Sequence, residues 1–309
     1  MNCNILEVAS TARHDMKIPM KRFWLAATAV FLAYCGCFDA KELRVAAWNL
    51  EHLNENGEEG CITRTQADYD NIAATVNKMQ FDVVAIQEVK DEAAARRVFS
   101  SDEWEIELSK RPPMKDLREC WGLPGRYLRH LGTGFAIRKG ISYRRNPDFE
   151  VLGLDDDFQR WGTDITLLEG AEVRLLSVHL RSGCWGAEQD EDDERNETCQ
   201  TLRQQIEKLS EWRDERLSEK VPFLILGDFN RRLAVTDDWA WSILTSTESS
   251  LHLVTASVET QCDPRFDELI DHIVADSSAA KLVVENSTSE GPRIGEHPDH
   301  CAVSTIIQL

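Results

Sequence analysis

Residues 223–230 read Phe-Leu-Ile-Leu-Gly-Asp-Phe-Asn, an apolar run that ends in Gly227, Asp228, Phe229 and Asn230. Four consecutive apolar residues before a glycine predict a buried strand, because a strand that is covered on both faces shows no polar alternation. Asp228 and Asn230 then come just after the strand end, which makes them candidate site residues. The alternative is a plain strand-to-loop turn, a position that aspartate and asparagine often occupy.

Five further segments place polar side chains at or just after the ends of predicted strands. They are Trp48-Asn49-Leu50-Glu51, Ile86-Gln87-Glu88, Ser177-Val178-His179-Leu180, Ile270-Asp271-His272-Ile273 and Pro298-Asp299-His300. Side chains at strand ends that are distant in sequence can converge at one rim of a sheet. Their carboxylate and amide oxygens suit Mg²⁺, Ca²⁺ or Mn²⁺. Taken singly, Glu88 also fits a solvated strand end, Asn49 a turn residue, and His179 and His300 satisfied core histidines.

The remaining chain alternates short apolar runs with helical patterns. The predicted strands are residues 43–49, 82–87, 134–138, 148–152, 163–168, 173–180, 223–226, 270–274 and 301–307. The predicted helices are residues 68–79 and 197–217, each with apolar residues at helical spacing. Runs of consecutive strands favour antiparallel pairing within mixed sheets. Because no repeat, linker or low-complexity block interrupts this region, we expect residues 41–309 to form one α/β domain.

The first 40 residues have the pattern of an export signal. Lys17, Lys21 and Arg22 precede an apolar run at residues 23–33, which is the length of a signal-peptide core and short for a membrane span. Small residues follow, and we expect cleavage between Cys35 and Ala40. The alternative is a buried N-terminal helix. We therefore predict a secreted or periplasmic protein, with no stable membrane insertion after the leader is removed.

Beyond this leader the chain has six cysteines, an even number that favours disulfides in an exported protein. No close Cys-x-x-Cys pair indicates structural zinc. Six cysteines allow fifteen pairings, among which we predict Cys184–Cys199, Cys61–Cys120 and Cys262–Cys301.

The chain is strongly acidic, with a formal net charge of −19. Such a surface repels a polyanion at long range and offers no general basic stripe along which a nucleic acid backbone would run. A nucleic acid substrate would need local arginines or a bound cation. Arg181, two residues after His179, is the candidate phosphate clamp because a guanidinium donates two hydrogen bonds to phosphate oxygens. The alternative is that Arg181 is a surface ion-pair partner.

Together and in this order, the segments WNLE, QEV, GDFN and DH resemble the endonuclease/exonuclease/phosphatase superfamily, which includes deoxyribonuclease I. The resemblance covers residues 43–304. It implies a four-layer αββα sandwich of two mixed sheets flanked by helices, with the active site at one end of the strands. It also implies a Mg²⁺ site, with Mn²⁺ or Ca²⁺ as alternatives, in which Glu88 is the principal ligand and Asn49 and Asp299 complete or support it.

The resemblance also implies roles for five catalytic residues. His300 would contact the scissile phosphate, and Asp271 would pair with it to fix its tautomer. Asp228 would orient or deprotonate the attacking water, while Asn230 and His179 would hydrogen-bond the phosphoryl oxygens. In one departure from many relatives, Pro298 stands where they have a serine.

The function expected from these residues is divalent-metal-dependent phosphodiester hydrolysis, with a nucleic acid as substrate and endonuclease action. The first alternative is a lipid-headgroup phosphodiesterase or a phosphatase for small phosphoesters. The second is a non-catalytic surface module on the same fold, against which the intact set of polar residues argues. The choice between DNA and RNA, and the oligomeric state, stay open.

Overall fold

The computed structural model describes residues 41–185, 193–246 and 251–309, so the expected leader lies outside the described residues. The strands are β1 (Glu42–Leu53), β2 (Val83–Val89), β3 (Trp104–Leu108), β4 (Gly132–Arg138), β5 (Tyr143–Arg145), β6 (Thr163–Glu169), β7 (Ala171–His179), β8 (Phe223–Asp228), β9 (Leu251–Leu253), β10 (Asp271–Asp276), β11 (Ser289–Glu290) and β12 (Val303–Gln308). The helices are α1 (Gln66–Met79), α2 (Glu92–Arg96), α3 (Asp193–Glu219), α4 (Trp239–Leu244) and α5 (Ser277–Ala280).

The strands form two mixed sheets of six strands each. The first has the order β11-β12-β1-β2-β4-β3 and the second β5-β6-β7-β8-β10-β9. Each contains one parallel pair, β1 with β2 and β7 with β8, and the other neighbours are antiparallel. The predicted mixed sheets are therefore confirmed.

Three apolar clusters hold these layers together. The first lies between the two sheets and includes Val45 and Phe135 of one sheet and Leu175 and Leu224 of the other. The second packs the outer face of the first sheet against α1 and α2. The third packs the outer face of the second sheet against α3 and α4. This stacking is the predicted four-layer αββα sandwich.

The two long helices form where the apolar spacing predicts them. In α1, Ile72 and Val76 are one turn apart and both buried, and Asp68 accepts the backbone N–H of Thr65 at the helix start. In α3, Leu202 and Ile206 repeat that spacing against the second sheet. Both predicted helices are confirmed, although α1 begins two residues earlier than predicted and α3 is longer at both ends.

One predicted strand is wrong. Residues 148–152 do not form a strand; instead, Glu150–Gly153 form a 3-10 helix after an isolated bridge between Phe149 and Gly162. This short helix buries Leu152 against the α3 layer and leaves Val151 53% exposed. Leu154, in a left-handed conformation, then ends the helix.

All three disulfides predicted from the sequence are present. They join Cys61 to Cys120, Cys184 to Cys199 and Cys262 to Cys301, with Cα–Cα distances of 5.3, 5.0 and 5.7 Å. Each bond connects segments that flank the same end of the sandwich, where β1, β2, β7 and β8 end and their antiparallel neighbours β4, β10 and β12 begin. We call this end the rim. Among the described helices, none has the length and apolar character needed to cross a membrane.

Gly227 lies in β8 close to the rim, where the backbone of β8 approaches that of β7 too closely for a side chain. Its φ is +144°, and a Cβ there would lie 2.0 Å from the carbonyl oxygen of Val178 on the neighbouring strand. We expect Gly227→Ala to lower the free energy of unfolding by about 3 kcal/mol or more, since backbone strain and overlap add. Urea denaturation measures this change.

The matched control is Gly140→Ala, at a glycine that also has positive φ but no atom within 4 Å of the added Cβ. It should lose only about 1 kcal/mol. Equal losses in the two variants would contradict the steric explanation.

Candidate active site

The polar residues predicted at the strand ends meet at the rim. The first sheet contributes Asn49, Glu88 and, just before β12, Asp299 and His300. The second sheet contributes His179, Asp228, Asn230 and Asp271. Asp271 and Asp228 are direct partners across the β8–β10 ladder, and His179 and Asp228 are partners across the β7–β8 ladder. The registers therefore bring three polar residues of the second sheet side by side.

The backbone around the site adopts left-handed conformations at four residues with side chains. These are Glu51, His52, Glu88 and Asn230, with φ between 45° and 59°. The register of the β1–β2 pair shifts between Asn49 and Leu53, and that of the β2–β4 pair shifts between Gln87 and Val89. Such conformations cost about 1–3 kcal/mol each and concentrate at functional sites. Four of the ten left-handed non-glycine residues in the described chain thus lie at the cluster of polar side chains.

Asn49 connects the two sheets. Its Nδ2 lies 3.0 Å from Asp228 Oδ2 and 3.4 Å from Glu88 Oε1. Its Oδ1 accepts the backbone N–H of Glu51 at 2.9 Å. Because the amide nitrogen faces both carboxylates, Asn49 holds two acidic groups together.

His300 and Asp271 form the expected pair. His300 Nδ1 donates to Asp271 Oδ2 at 2.6 Å, and His300 Nε2 lies 3.9 Å from Asp228 Oδ2. Burial alone would lower the pKa of His300, but the charge and hydrogen bond of Asp271, aided by Asp228, raise this pKa well above the usual value. The imidazole is therefore protonated at neutral pH, and its Nε2–H can donate to a phosphate oxygen.

At neutral pH Glu88 is a carboxylate and His179 is uncharged. Burial alone would raise the pKa of Glu88, but His179, His52 and Arg160 lower it to about 2. Burial and the charge of Arg160 hold the pKa of His179 well below its usual value. The neutral ring places Nε2 at 3.4 Å from Asp228 Oδ2 and 3.7 Å from Glu88 Oε1. His179 thus faces the two carboxylates at the same point as Asn49.

Asp228 is the carboxyl group suited to act as a base. Burial and the neighbouring charge of Asp271 raise its pKa to about 7. Its Oδ1 accepts the backbone N–H of Asn230 at 2.8 Å, which fixes the orientation of the carboxyl. A base functions best when its pKa is close to the working pH.

The donor set fits a hard divalent cation. Asp228 and Asp271 bring carboxylate oxygens within 4.8 Å of each other, and an oxygen of Glu88 lies against the same Asn49 Nδ2 as Asp228 Oδ2. Asp271 Oδ1 is buried without a hydrogen-bond partner. This concentration of carboxylate oxygens matches the oxygen-rich coordination that Mg²⁺, Mn²⁺ and Ca²⁺ prefer.

Three predicted residues lie less centrally. The Asp299 side chain is 51% exposed, with Oδ1 at 3.8 Å from His300 Nε2. Asn230 donates from Nδ2 to the carbonyl of Leu180 at 3.0 Å, so part of its amide is engaged by the backbone. Arg181 is anchored through its backbone N–H to Gln205 Oε1 at 2.7 Å, and no described contact joins its guanidinium to the central group.

Arg160 is a site residue that the sequence did not indicate. Its charge acts on Glu88, Asp228 and His179, and burial lowers its own pKa. Arg160 precedes β6, which runs antiparallel to β7, so the start of β6 lies at the rim where β7 ends. The predicted antiparallel pairing of the strands that became β6 and β7 was the sequence signal that could have identified Arg160.

Glu51 is a second residue whose role was not predicted. Its Oε2 accepts from His297 Nδ1 at 2.8 Å and from the backbone N–H of Asp299 at 3.0 Å. Trp48 Nε1 also donates to the carbonyl of His300 at 3.0 Å. The end of β1 therefore holds the segment that carries Asp299 and His300 in place, where Pro298 cannot offer a serine hydroxyl.

The family model described as the Endonuclease/Exonuclease/phosphatase family matches residues 46–304. The chain belongs to this family. Its members hydrolyse phosphoric esters and generally depend on divalent metal ions. The matched range begins in β1 and ends in β12, so it includes every predicted site residue.

Solved structures of the same family share the fold. An endonuclease/exonuclease/phosphatase from Bacteroides vulgatus is 17% identical, with a TM-score of 0.57 over 87% of this chain and 99% of that chain. TDP2 from Caenorhabditis elegans is 14% identical, with a TM-score of 0.58 over 87% of this chain and 75% of that chain. An AP endonuclease from Archaeoglobus fulgidus is 13% identical, with a TM-score of 0.57 over 86% and 100%.

A curated protein matches a shorter stretch. Over 114 residues the chain is 31% identical to the holo-[acyl-carrier-protein] synthase of Salmonella paratyphi C, a match that covers 36% of this chain and 78% of that protein. This stretch is too short to contain both sheets of the sandwich. The assignment to the endonuclease/exonuclease/phosphatase family therefore depends on the match over residues 46–304.

The pairing of His300 with Asp271 leads to a titration experiment. We expect Asp271→Asn to lower the pKa of His300 towards the usual value near 6.5, because the largest influence that raises it is removed. NMR titration of the His300 ring in chelator-treated protein measures this pKa.

Asp299→Asn is the matched control for that titration. The Asp299 carboxylate is more exposed and has a weaker influence on the ring, so its loss should lower the pKa less. A larger shift in Asp299→Asn than in Asp271→Asn would contradict the pairing.

Proposed function

We propose that this chain is a secreted, divalent-metal-dependent phosphodiesterase that cleaves nucleic acid as an endonuclease. The observation that carries the proposal is the convergence of Asn49, Glu88, His179, Asp228 and the Asp271–His300 pair at one rim. Hydrolysis of a phosphodiester needs an in-line nucleophile, compensation of charge on the non-bridging oxygens and help for the leaving oxygen. These groups can supply each of the three.

Asp228 is the residue that we propose to activate water. Its pKa of about 7 allows the carboxyl to accept a proton near neutral pH, and its contact with the Asn230 backbone fixes its direction. Asn49 and His179 hold it from the side of Glu88. We expect the attacking water to lie against Asp228 and to lose a proton to that carboxyl as its oxygen bonds to phosphorus. The bond from phosphorus to the leaving ester oxygen breaks in the same displacement, and that oxygen takes a proton from solvent.

His300 and Arg160 are the cationic groups that would bind the phosphate. His300 is protonated through Asp271, so its Nε2–H can donate to a non-bridging oxygen. Arg160 adds a permanent charge beside Glu88 and Asp228. In a chain with a net charge of −19, these local cations offset the repulsion that a polyanion meets at long range.

Glu88, with Asn49 and Asp299, is the group that we propose to hold the metal ion. When bound, Mg²⁺ supplies positive charge that stabilises the phosphate oxygens and the nucleophile. The low pKa of Glu88 keeps it available as a carboxylate. For the amide oxygen of Asn49 to join as a ligand beside Glu88, the amide would have to turn, because its nitrogen now faces that carboxylate.

Three disulfides support the proposed export. Disulfides persist in oxidising compartments and are rare in the cytosol. The six cysteines beyond residue 40 are all paired. We therefore propose that residues 1–40 act as a leader and that the remaining domain functions in the periplasm or outside the cell.

An activity screen tests the proposed reaction. The oxidised, leaderless protein should nick plasmid DNA, lose this activity with a chelator and regain it with Mg²⁺. His300→Ala should lower the rate by about 10²–10³-fold, the usual cost of removing one donor that stabilises charge in the transition state. Gel analysis of plasmid, RNA and a bis-aryl phosphodiester gives the rates.

Intact plasmid alongside turnover of another phosphodiester would reject the endonuclease assignment. If His300→Ala matched the unaltered protein on every substrate, the site itself would be wrong. Circular dichroism of each variant separates loss of catalysis from loss of fold.

The proposed role of Arg160 has its own test. Arg160→Ala should lower kcat/KM by about 10²-fold, the usual cost of removing a group that stabilises charge in the transition state. Arg160→Lys should retain part of the activity because it keeps the charge but loses the bidentate geometry. Arg181→Ala, which removes a guanidinium with no described contact to the central group, should cost less. A greater loss in Arg181→Ala would restore Arg181 as the principal clamp.

A lipid headgroup is the second candidate substrate, and one observation favours it. The disulfide-bonded loop that follows β3 exposes Leu117, Trp121, Leu123 and Tyr127, and Trp121 is 100% exposed. Tryptophan side chains favour the membrane interface. Turnover of sphingomyelin vesicles that falls in Trp121→Ala, with plasmid left uncut, would favour this candidate over the endonuclease.

A further inference from the structure

A cavity of about 540 Å³ opens beside the catalytic pair, on the side of the rim formed by β8, β10 and β12. Asn230, Asp271 and His300 form the wall that it shares with the active site. Its volume lies within the range of pockets that bind small molecules. A substrate whose phosphate contacts His300 would therefore extend one of its ester arms into this space.

Two aromatic side chains line the cavity. Trp185 is 49% exposed and Phe266 is 52% exposed. By contrast, Trp48, Trp104 and Trp212 are buried in the core. Exposed rings beside a concave site provide flat apolar surfaces on which another flat ring can stack.

Each of these rings already has a guanidinium nearby. The Arg232 guanidinium carbon lies 6.0 Å from the centre of the Trp185 ring, and that of Arg265 lies 5.5 Å from the centre of the Phe266 ring. Arg232 Nε is 3.5 Å from Glu268, which also lines the cavity. A second cation near these rings would be repelled, whereas a neutral flat ring would not.

Polar groups divide the apolar surface of the cavity. Arg232, Asp263, Arg265 and Glu268 lie among the lining residues, so donors and acceptors alternate with the two rings. Arg232 pairs with Glu268 and Arg265 pairs with Asp263, and a long acyl chain would take these exposed ion pairs out of water, which is unfavourable. A nucleobase combines a stackable face with a polar edge and fits both features.

Two disulfides fix the cavity relative to the catalytic imidazole. Cys301, directly after His300, is bonded to Cys262, and Glu290 accepts the backbone N–H groups of Gln261 and Cys262. On the other side, Trp185 directly follows Cys184, which is bonded to Cys199 of α3. The segments that carry the lining are therefore held before substrate binds, which lowers the entropic cost of binding.

We propose that this cavity is a nucleobase subsite, in which Trp185 and Phe266 stack against the base of a nucleotide whose phosphate lies at His300. The proposal rests on the proposed function and narrows it, since it makes a nucleotide arm part of what the enzyme recognises. Trp185 and Phe266 are specificity-determining residues and take no part in bond cleavage.

Equilibrium binding tests the subsite without requiring turnover. The probes are adenosine 5′-monophosphate and ribose 5-phosphate, which share the sugar phosphate and differ in the base. Calorimetry of the Asp228→Asn protein, which is impaired in the proposed chemistry, should give a Kd for the nucleotide about tenfold lower than for the sugar phosphate, in line with stacking of one base.

Variants of the lining should remove this preference. In Trp185→Ala/Phe266→Ala the two probes should bind about equally, with the Kd of ribose 5-phosphate unchanged. Trp185→Phe should retain most of the preference because it keeps a ring. Trp121→Ala, which removes an exposed tryptophan that does not line the cavity, should leave the preference intact. Circular dichroism confirms that the variants are folded.

Three results would overturn the proposal. The first is equal or absent binding of the two probes, and the second is a base preference that survives loss of both rings. The third is phosphocholine binding that depends on Trp185 and Phe266 as strongly as nucleotide binding does, which would assign the rings to a lipid headgroup. Failure of plasmid nicking with base-dependent binding intact would reject the endonuclease activity alone, so the two failures are distinguishable.

Discussion

The site exists because two sheets pack face to face with their strand ends at the same rim. Asn49 and Glu88 come from one sheet and His179 and Asp228 from the other, and the bond between Asn49 and Asp228 crosses the boundary between them. The apolar cluster between the sheets sets this spacing. A one-residue slip of β1 or β8 in the register of its own sheet would turn that strand's inward side chains outward and separate the acidic groups.

The same packing buries several carboxyl groups. Neighbouring groups stabilise the negative charge of each carboxylate to a different extent. Glu88 is strongly favoured as a carboxylate by the basic groups around it, while Asp271 has a single strong partner in His300. Burial and the charge of Asp271 outweigh the groups that stabilise the Asp228 carboxylate, so the pKa of Asp228 is higher than that of Glu88. Because their neighbours differ, three chemically similar side chains can have distinct roles at one pH.

Much of this arrangement could be predicted because the strand ends carry a strong local signal. Apolar runs that stop at Asn49, Glu88 and Asp228 identify both the sheet and its rim. A residue that reaches the site only through the pairing of strands distant from any motif could not be predicted in the same way. Arg160 lies in an irregular segment with no motif, and only the antiparallel pairing of β6 with β7 brings it to the site. Residues 148–152 failed as a strand because apolar character alone does not distinguish a sheet from a short helix that buries one side chain.

The three disulfides have an evolutionary consequence. All of them link segments outside the sheets, around the opening where a substrate would enter. Since these crosslinks hold the segments around the opening, loop residues close to the cysteines and outside the strands and helices can diverge with little penalty to folding. Substrate selectivity can then change through the loops around the opening, while the catalytic residues at the strand ends stay the same.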